Sequence, residues 1–162
     1  MFRSSLLALG STLVLSLATF APEAEACGGD GNKSAQKTEM KTNKSGVQSL
    51  SVETLALRMS EKNLKKTPKT MAVVDVNGEK TRKKMGVIPG AIPLTSCSRY
   101  DVKELSSDKD TSRVFYCSNE RCGASKKAAT KAVEYGYSDV SVLPAGIAGW
   151  VDGGYKTGTP TS

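Results

Sequence analysis

The sequence predicts an α/β fold with a central, mostly parallel β-sheet flanked by helices. Short apolar runs alternate along the chain with segments of helical periodicity, as they do in successive βα units. Three runs, residues 71–76, 114–116 and 140–143, are almost continuously apolar. Such runs are typical of strands that a parallel sheet buries on both faces. With 162 residues the chain has room for one such domain and appendages.

Helical segments fill the intervals between the strands. Ser51 is a suitable N-cap for a first helix over residues 51–59, and residues 79–85 suit a short second helix. Residues 86–94 form a turn and a short strand whose two prolines place it at the margin of the sheet. A short helix is expected around residues 100–105, a longer one over 125–135 ending before Gly136, and a last short one around Trp150.

The N-terminal region is predicted to direct export. A basic residue at Arg3, an apolar stretch from Leu6 to Phe20 and Ala24-Glu25-Ala26 fit a signal peptide over residues 1–26. Cys27 directly follows, so a lipid anchor there is the alternative, but no aliphatic residue stands three before it and we favour soluble export. Residues 27–47 are Gly-, Lys-, Ser- and Thr-rich and are expected to be a flexible linker. The domain is expected over residues 48–158, with a tail over 159–162 and a periplasmic or secreted location.

The net charge of +7 does not indicate a nucleic-acid-binding protein. The lysines are scattered and aromatic residues do not interleave with them. No apolar segment is long enough to predict a membrane span. A basic surface of this kind is expected to attract small anions.

The segment from Arg113 to Ser125 is the candidate functional region. An apolar strand ends at Cys117, a polar loop follows, and a helix opens near Ser125. Loop amides and a helix N-terminus can favour a thiolate over a thiol. The chain contains no histidine, so any activation of Cys117 must come from the backbone, the helix dipole or basic side chains.

Several other residues have open roles at this stage. Cys122 can pair with Cys117, resolve an intermediate on it, or be a bystander or regulatory thiol. Arg121 is either a contact for an anionic substrate or solvated. Asp75, at a strand end, either supports the site or orients the backbone. Cys97 is expected to be a loop residue or disulfide partner, and Trp150 a core residue. A metal site is not expected, because there is no histidine and no C-x-x-C pair.

These segments, in this order, resemble the rhodanese-like domain, the sulfurtransferase family. The matching motifs are residues 74–76 at a strand end, Gly86-Val-Ile-Pro-Gly-Ala91, the strand–Cys117–loop–helix unit, Gly136-Tyr137, and Pro144-Ala-Gly-Ile-Ala-Gly-Trp150. The resemblance covers about residues 48–157.

The resemblance implies sulfur transfer through a persulfide on Cys117, without a cofactor. The implied donor is a small anion such as thiosulfate, and the implied acceptor is cyanide or a thiol. The loop residues expected to bind the substrate are Ser118, Asn119, Glu120, Arg121, Cys122, Gly123 and Ala124. Attack on sulfur also suits a cysteine without a histidine base.

Some positions depart from the family's pattern. Val87 stands where many members have histidine, and Asn77 where many have arginine. The loop from Cys117 to Ser125 is two residues longer than in many members and contains Cys122. Three other functions therefore stay open: a thiol–disulfide redox protein using Cys117 and Cys122, a non-catalytic binding module, and a phosphatase-like or arsenate-reducing relative. The last lacks the arginine expected at the position of Gly123.

Overall fold

The computed structural model describes residues 46–63, 71–105 and 107–160. Strands and helices alternate, which confirms the predicted α/β class. The strands are β1 (Gln48–Ser49), β2 (Met71–Asp75), β3 (Ile92–Pro93), β4 (Ser112–Tyr116) and β5 (Val140–Leu143). The helices are α1 (Val52–Asn63), α2 (Glu79–Met85), α3 (Ala124–Glu134) and α4 (Gly146–Asp152), with a 3₁₀ helix over Val102–Leu105.

The five described strands form one sheet in the order β1-β5-β4-β2-β3, and all their pairings are parallel. β4 lies at the centre, with Asp75 of β2 in register with Tyr116 and Leu143 of β5 in register with the same residue. The carboxyl ends of β2, β4 and β5 therefore meet at one edge, where ligand sites of open parallel sheets lie.

The sheet separates two apolar layers because successive strand side chains point to opposite faces. Val74, Phe115 and Val142 face α3, whose Ala128, Ala129 and Ala132 are buried against them. The intervening residues Val73, Val114, Tyr116 and Leu143 face the layer that contains α1 and α4, including Leu55, Ile147 and Trp150. The strands are buried on both sides, which explains their continuous apolar runs.

The helix boundaries follow the local sequence signals. The Thr54 N–H donates to Ser51 Oγ over 3.2 Å, so Ser51 caps α1 as predicted. α3 ends before Gly136, whose φ of 87° is easily reached only by glycine. The segment near Tyr100 forms a single 3₁₀ turn. Lys131 of α3 is half-buried and donates to the Tyr100 carbonyl over 2.8 Å.

The edge strand β1 has no counterpart in the sequence prediction. It contains only two residues, too few to show the alternation that identifies a strand. Gln48 pairs with Ser141 and Ser49 with Val142, and the preceding Val47 is buried in the core. Pairing with a distant strand, rather than local sequence, places this segment.

Several expectations fall outside the described residues. These are the signal peptide, Cys27, nearly all of the proposed linker, most of a basic connection predicted over residues 62–70, and the last two residues. Among the helices of the described part, none is long and apolar enough to cross a bilayer.

Candidate functional site

Cys117 lies directly after β4, at the carboxyl edge of the sheet. All five residues of β4 are buried, and Cys117 itself is only 1% exposed. Since Tyr116 points to the α1–α4 face, the alternation of the strand directs Cys117 to the α3 face, where it joins the core around Phe115. The structure thus places the predicted thiol at the bottom of a loop that covers the end of the strand.

Helix α4 holds the start of this loop. The Ile147 N–H donates to the Cys117 carbonyl over 2.8 Å, and the Ala148 N–H donates to the Ser118 carbonyl over 2.9 Å. These are amides of the first turn of a helix, which have no partner within the helix itself. α4 therefore fixes the loop backbone by two hydrogen bonds and leaves the Cys117 side chain on the other side.

Glycine at position 146 allows α4 to approach the backbone of Cys117 and Ser118 closely. Its φ is +60°, and a Cβ on it would lie 2.5 Å from the Cys117 carbonyl oxygen and 2.7 Å from the Ser118 carbonyl carbon. Any other residue would suffer both backbone strain and collision. Sequence reasoning included Gly146 only within a family motif and did not identify its contact with the thiol loop.

The loop then folds back on itself. The Cys122 N–H donates to the Asn119 carbonyl over 3.1 Å, and the Arg121 N–H donates to Asn119 Oδ1 over 3.0 Å. Asparagine commonly stabilises turns in this way. The turn returns Cys122 to Cys117, five positions earlier in the sequence.

The Cys117 sulfur is surrounded mainly by hydrogen-bond acceptors. Sγ lies 3.0 Å from the Cys122 carbonyl oxygen and 3.7 Å from that of Asn119. Ser125, in the first turn of α3, brings its Oγ to 3.5 Å. A protonated thiol can donate to these oxygens, whereas a thiolate would be repelled by the carbonyl dipoles. The geometry therefore stabilises the protonated form of Cys117.

The pKa of Cys117 is raised well above that of an ordinary thiol. The main cause is its hydrogen bond to the Cys122 sulfur, followed by burial, while the hydroxyl and backbone N–H of Ser125 act in the opposite direction. The carbonyl oxygens and the Cys122 sulfur around Cys117 therefore oppose the thiolate that loop amides and a helix N-terminus can favour. Only Ser125 contributes to that effect among the groups that determine its pKa here.

Cys122 instead receives the amide donors of the loop. Its sulfur accepts hydrogen bonds from the Cys117 thiol and from the backbone N–H groups of Ala124 and Ser118, which together lower its pKa to about 5 despite partial burial. Cys122 is half-buried, and both cysteines are free of disulfides. The two sulfurs thus share one proton, which Cys117 holds, and the negative charge lies on Cys122.

The remaining loop residues line a shallow cleft outside the thiol pair. Asn119, Glu120 and Arg121 form one side and α4 forms the other, enclosing about 370 Å³. Asp152 of α4 also faces this cleft, so it contains two carboxylates and one guanidinium. Arg121 is exposed at its rim. Gly123 precedes α3, and Ala124 is buried in its first turn.

Asp75 belongs to a separate polar cluster at the end of β2. Its Oδ1 accepts hydrogen bonds from the Asn77 backbone N–H and side-chain amide, both at 2.8 Å. Its Oδ2 pairs with Arg82 Nε at 3.3 Å, and Arg82 also donates to the carbonyls of Asp75 and Leu94. The side chain lies on the Tyr116 face of the sheet, opposite Cys117, and these contacts orient the backbone between β2, α2 and β3.

Arg82 was not identified from the sequence, where it is one of several basic residues in a row. Its position three residues into α2, facing the end of β2, is the signal that distinguishes it. Asn77 stands where many family members have arginine, and here Arg82 supplies the guanidinium that pairs with Asp75.

Three other residues are structural. Cys97 is in a disulfide, which confirms one of its two predicted roles. Trp150 is in the core, as predicted, and its indole N–H donates to the Lys156 carbonyl over 3.0 Å. Arg113, fully buried, donates to the Leu105 and Thr111 carbonyls and stacks on Tyr137 at 3.9 Å. Its position inside a strand gave no sequence signal for this role.

In the described ranges, cysteine, aspartate and glutamate side chains form no cluster of three or more with the geometry of a metal site. The chemical groups of the loop are two thiols, a hydroxyl and backbone amides. Together they can attack, hold and release sulfur, or close a disulfide.

A buried cysteine at the end of a central parallel strand, under a loop that opens a helix, defines an α/β domain with a reactive-thiol loop. The family model described as the Rhodanese-like domain matches residues 51–153. The chain belongs to this family, which confirms the resemblance stated from its motifs. The family includes sulfurtransferases, and many of its members are not catalytic.

Solved structures show the same fold at low identity. A Bacillus halodurans protein has a TM-score of 0.56 at 19% identity, with 68% of this chain and 76% of that chain covered. A Rhodopseudomonas palustris protein of unknown function, described as a possible tyrosine phosphatase, has a TM-score of 0.55 at 20% identity, covering 78% and 100%. A rhodanese-related protein from Thermoplasma volcanium has a TM-score of 0.49 at 21% identity, covering 67% and 94%. No curated protein matches the chain.

Proposed function

We propose that this protein is a sulfurtransferase that carries sulfane sulfur as a persulfide on Cys117. The donor is a small anion such as thiosulfate, and the acceptor is a thiophile such as cyanide or a thiol. The observation that carries the proposal is the position of Cys117 after β4, with the Cys122 sulfur hydrogen-bonded to its proton. A nucleophilic thiol beside a proton acceptor is the arrangement that attack on sulfur requires.

The first step moves one proton and one sulfur atom. Cys117 Sγ attacks the sulfane sulfur of thiosulfate as its proton passes to the Cys122 thiolate. The new S–S bond forms on Cys117, and the sulfur–sulfur bond of thiosulfate breaks with its electron pair leaving on sulfite. Cys122 thus replaces the histidine base that this chain lacks.

The product of this step is a persulfide anion. The Ser125 hydroxyl and N–H group approach Cys117 from the first turn of α3 and are donors suited to an anionic sulfur. An acceptor nucleophile then takes the outer sulfur and leaves Cys117 as a thiolate, which recovers the proton from Cys122.

Intact-protein mass spectrometry after incubation with thiosulfate tests this proposal. We expect transfer of one sulfur atom to Cys117, observed as a stable gain in mass in Cys122→Ser, and thiocyanate formation when cyanide is added. Cys117→Ser is expected to lose both. The proposal is wrong if neither the wild-type chain nor Cys122→Ser takes up or transfers sulfur.

The hydrogen bond between the two sulfurs also favours a second candidate function, thiol–disulfide exchange. In that case Cys117 and Cys122 cycle between dithiol and disulfide with a protein dithiol, without uptake of sulfur. Reduction of a disulfide substrate by the wild-type chain, together with no reaction with thiosulfate, would favour this candidate.

We also infer export from residues 1–26, on their charged, apolar and small-residue pattern. Fractionation of expressing cells and the N-terminal mass of the mature chain test it. A mature N-terminus at Cys27 without lipid is the expected result, and a chain retained with Met1 would contradict it.

A further inference from the structure

The second cysteine of the loop packs against the core beside the reactive one. The turn at Asn119 brings Cys122 back over β4, where its carbonyl oxygen is 3.0 Å from Cys117 Sγ and the two sulfurs are hydrogen-bonded. This contact joins the two free thiols of the described residues, Cys117 and Cys122. Cys97 is already in a disulfide.

The two sulfurs differ in burial, and this difference determines which thiol can reach a persulfide on Cys117. Cys117 is 1% exposed, beneath the loop, whereas Cys122 is half-buried. An external thiol must pass the loop to reach a persulfide on Cys117. Cys122 is already in contact and needs only a local change of the loop. Intramolecular reaction of such a pair has a large advantage in effective concentration.

We propose that Cys122 is a resolving thiol, which attacks the Cys117 persulfide, closes a Cys117–Cys122 disulfide and releases hydrosulfide. This inference rests on the proposed persulfide and adds a product and a second catalytic residue. The domain would then reduce sulfane sulfur to sulfide at the expense of its own dithiol, in addition to transferring it.

The step balances without further reagents. Cys122 passes the proton taken from Cys117 to the outer sulfur and attacks Cys117 Sγ as a thiolate, so an S–S bond forms between the two cysteines. The bond between Cys117 Sγ and the outer sulfur breaks, and that sulfur leaves with the proton as hydrosulfide. In this step Cys122 is oxidised and the outer sulfur is reduced, and over the two steps together the two thiols become a disulfide as the sulfane sulfur becomes sulfide. A dithiol reductant is the class of co-reactant that returns the disulfide to two thiols.

The acid–base state of the pair supports this assignment. The amides of Ser118 and Ala124 stabilise a thiolate on Cys122, and the thiolate is the attacking form in disulfide exchange. α4 holds the Cys117 and Ser118 carbonyls, so the reacting sulfur stays in place while residues 119–122 adjust. A bystander cysteine would require none of these contacts.

The test is a single turnover without acceptor. Fully reduced protein, freed of reductant, is mixed with thiosulfate, and both dissolved sulfide and intact mass are measured under non-reducing conditions. We expect the wild-type chain to release one hydrosulfide per molecule and lose two hydrogens as the disulfide forms. Cys122→Ser, which lacks the proton acceptor as well as the resolving thiol, should gain one sulfur atom more slowly and release no hydrosulfide, and Cys117→Ser should do neither.

The controls separate the two proposals. Cys122→Ala, assayed alongside Cys122→Ser with circular dichroism to verify folding, excludes an effect of the serine hydroxyl. If the wild-type chain accumulates a stable persulfide as Cys122→Ser does, Cys122 is not a resolving thiol, while the proposed sulfurtransferase function stands. If no chain acquires sulfur or forms sulfide, the proposed function itself fails.

Discussion

The neighbouring strands β2 and β4 both end in buried polar groups, but the hydrogen bonds of these groups differ. At the end of β2, the buried carboxylate of Asp75 is matched by fixed donors from Asn77 and Arg82. At the end of β4, the one proton of Cys117 faces several acceptors, including the Cys122 sulfur. The first cluster has a donor for each carboxylate oxygen, while the second has fewer protons than acceptors. This difference indicates that the polar cluster at the end of β2 stabilises the fold, whereas the end of β4 is a reactive site.

The strongest test of the β4 end is to remove the close approach of α4. Gly146→Ala should lower the free energy of unfolding by about 3 kcal/mol or more, because positive φ and collision with the Cys117 carbonyl act together. Gly154→Ala is a matched control, with φ of +78° and open space around its Cβ. It should cost about 1 kcal/mol from φ alone. Urea denaturation followed by circular dichroism measures both, and equal losses would contradict the collision.

Arg82→Gln tests whether the β2 end is structural. Removing the guanidinium leaves the fully buried Asp75 carboxylate without its charged partner, so stability should fall by about 3 kcal/mol. Lys83→Gln breaks the exposed pair with Glu79 on the same helix and should leave the melting temperature nearly unchanged. Sulfur uptake per folded molecule should not change in either variant. A selective loss of uptake in Arg82→Gln would make the β2 end part of the reaction.

The pH dependence of alkylation shows which thiol is charged. With a pKa of about 5, against 9.0 for an ordinary thiol, Cys122 is a thiolate at neutral pH and becomes protonated as the pH falls through 5. At about pH 6, iodoacetamide should modify it about tenfold faster than an unfolded-chain cysteine, after allowance for its lower nucleophilicity. Peptide mapping measures the rates at each cysteine.

Cys117→Ala sharpens this measurement, because it removes the thiol that donates to Cys122. The midpoint of Cys122 alkylation should then move to higher pH, since the thiolate loses its first stabilising hydrogen bond. An unchanged midpoint in Cys117→Ala, or wild-type alkylation of Cys122 that rises only near pH 9 as for an unperturbed thiol, would show that the pair does not share its proton as described.

The smallest expected effect concerns the rim of the β4 site. Arg121→Gln should raise the KM for thiosulfate roughly three- to fivefold, as an exposed ion pair contributes up to about 1 kcal/mol. Lys127→Gln removes the same charge from the exposed face of α3 and should have less effect. Steady-state thiocyanate formation distinguishes them. Equal increases in KM would indicate attraction by the overall charge of the domain and not contact with Arg121.

The sequence was sufficient for the layers and for the position of Cys117, because both follow from local patterns. Apolar runs identify β2, β4 and β5, and Ser125 lies in the first turn of the following helix. The edge strand β1 was missed because its pairing is with β5, far away in sequence. The sequence also could not show which basic side chain of residues 80–84 pairs with Asp75, because that depends on how α2 packs.

The charge state of the thiols was beyond the sequence for a different reason. A loop of given composition can direct either carbonyl oxygens or amide hydrogens towards a sulfur. Here the turn at Asn119 directs carbonyls to Cys117 and amides to Cys122, so the loop opposes a thiolate on Cys117 and favours one on Cys122. The length of the loop and its second cysteine were visible in the sequence, but their geometric consequence was not.

The hydrogen bonds from Ile147 and Ala148 to the thiol loop also determine when the site is completed. During synthesis, Cys117 and Cys122 emerge before α4, which carries the amides that hold the loop backbone. β5 must also be synthesised before β1 can pair with it and before β4 can pair along the edge that faces β5. The two thiols therefore spend an interval of the nascent chain's lifetime without their native surroundings. In that interval they are ordinary cysteines, and they acquire their native reactivity only after α4 has been synthesised and has packed against the loop.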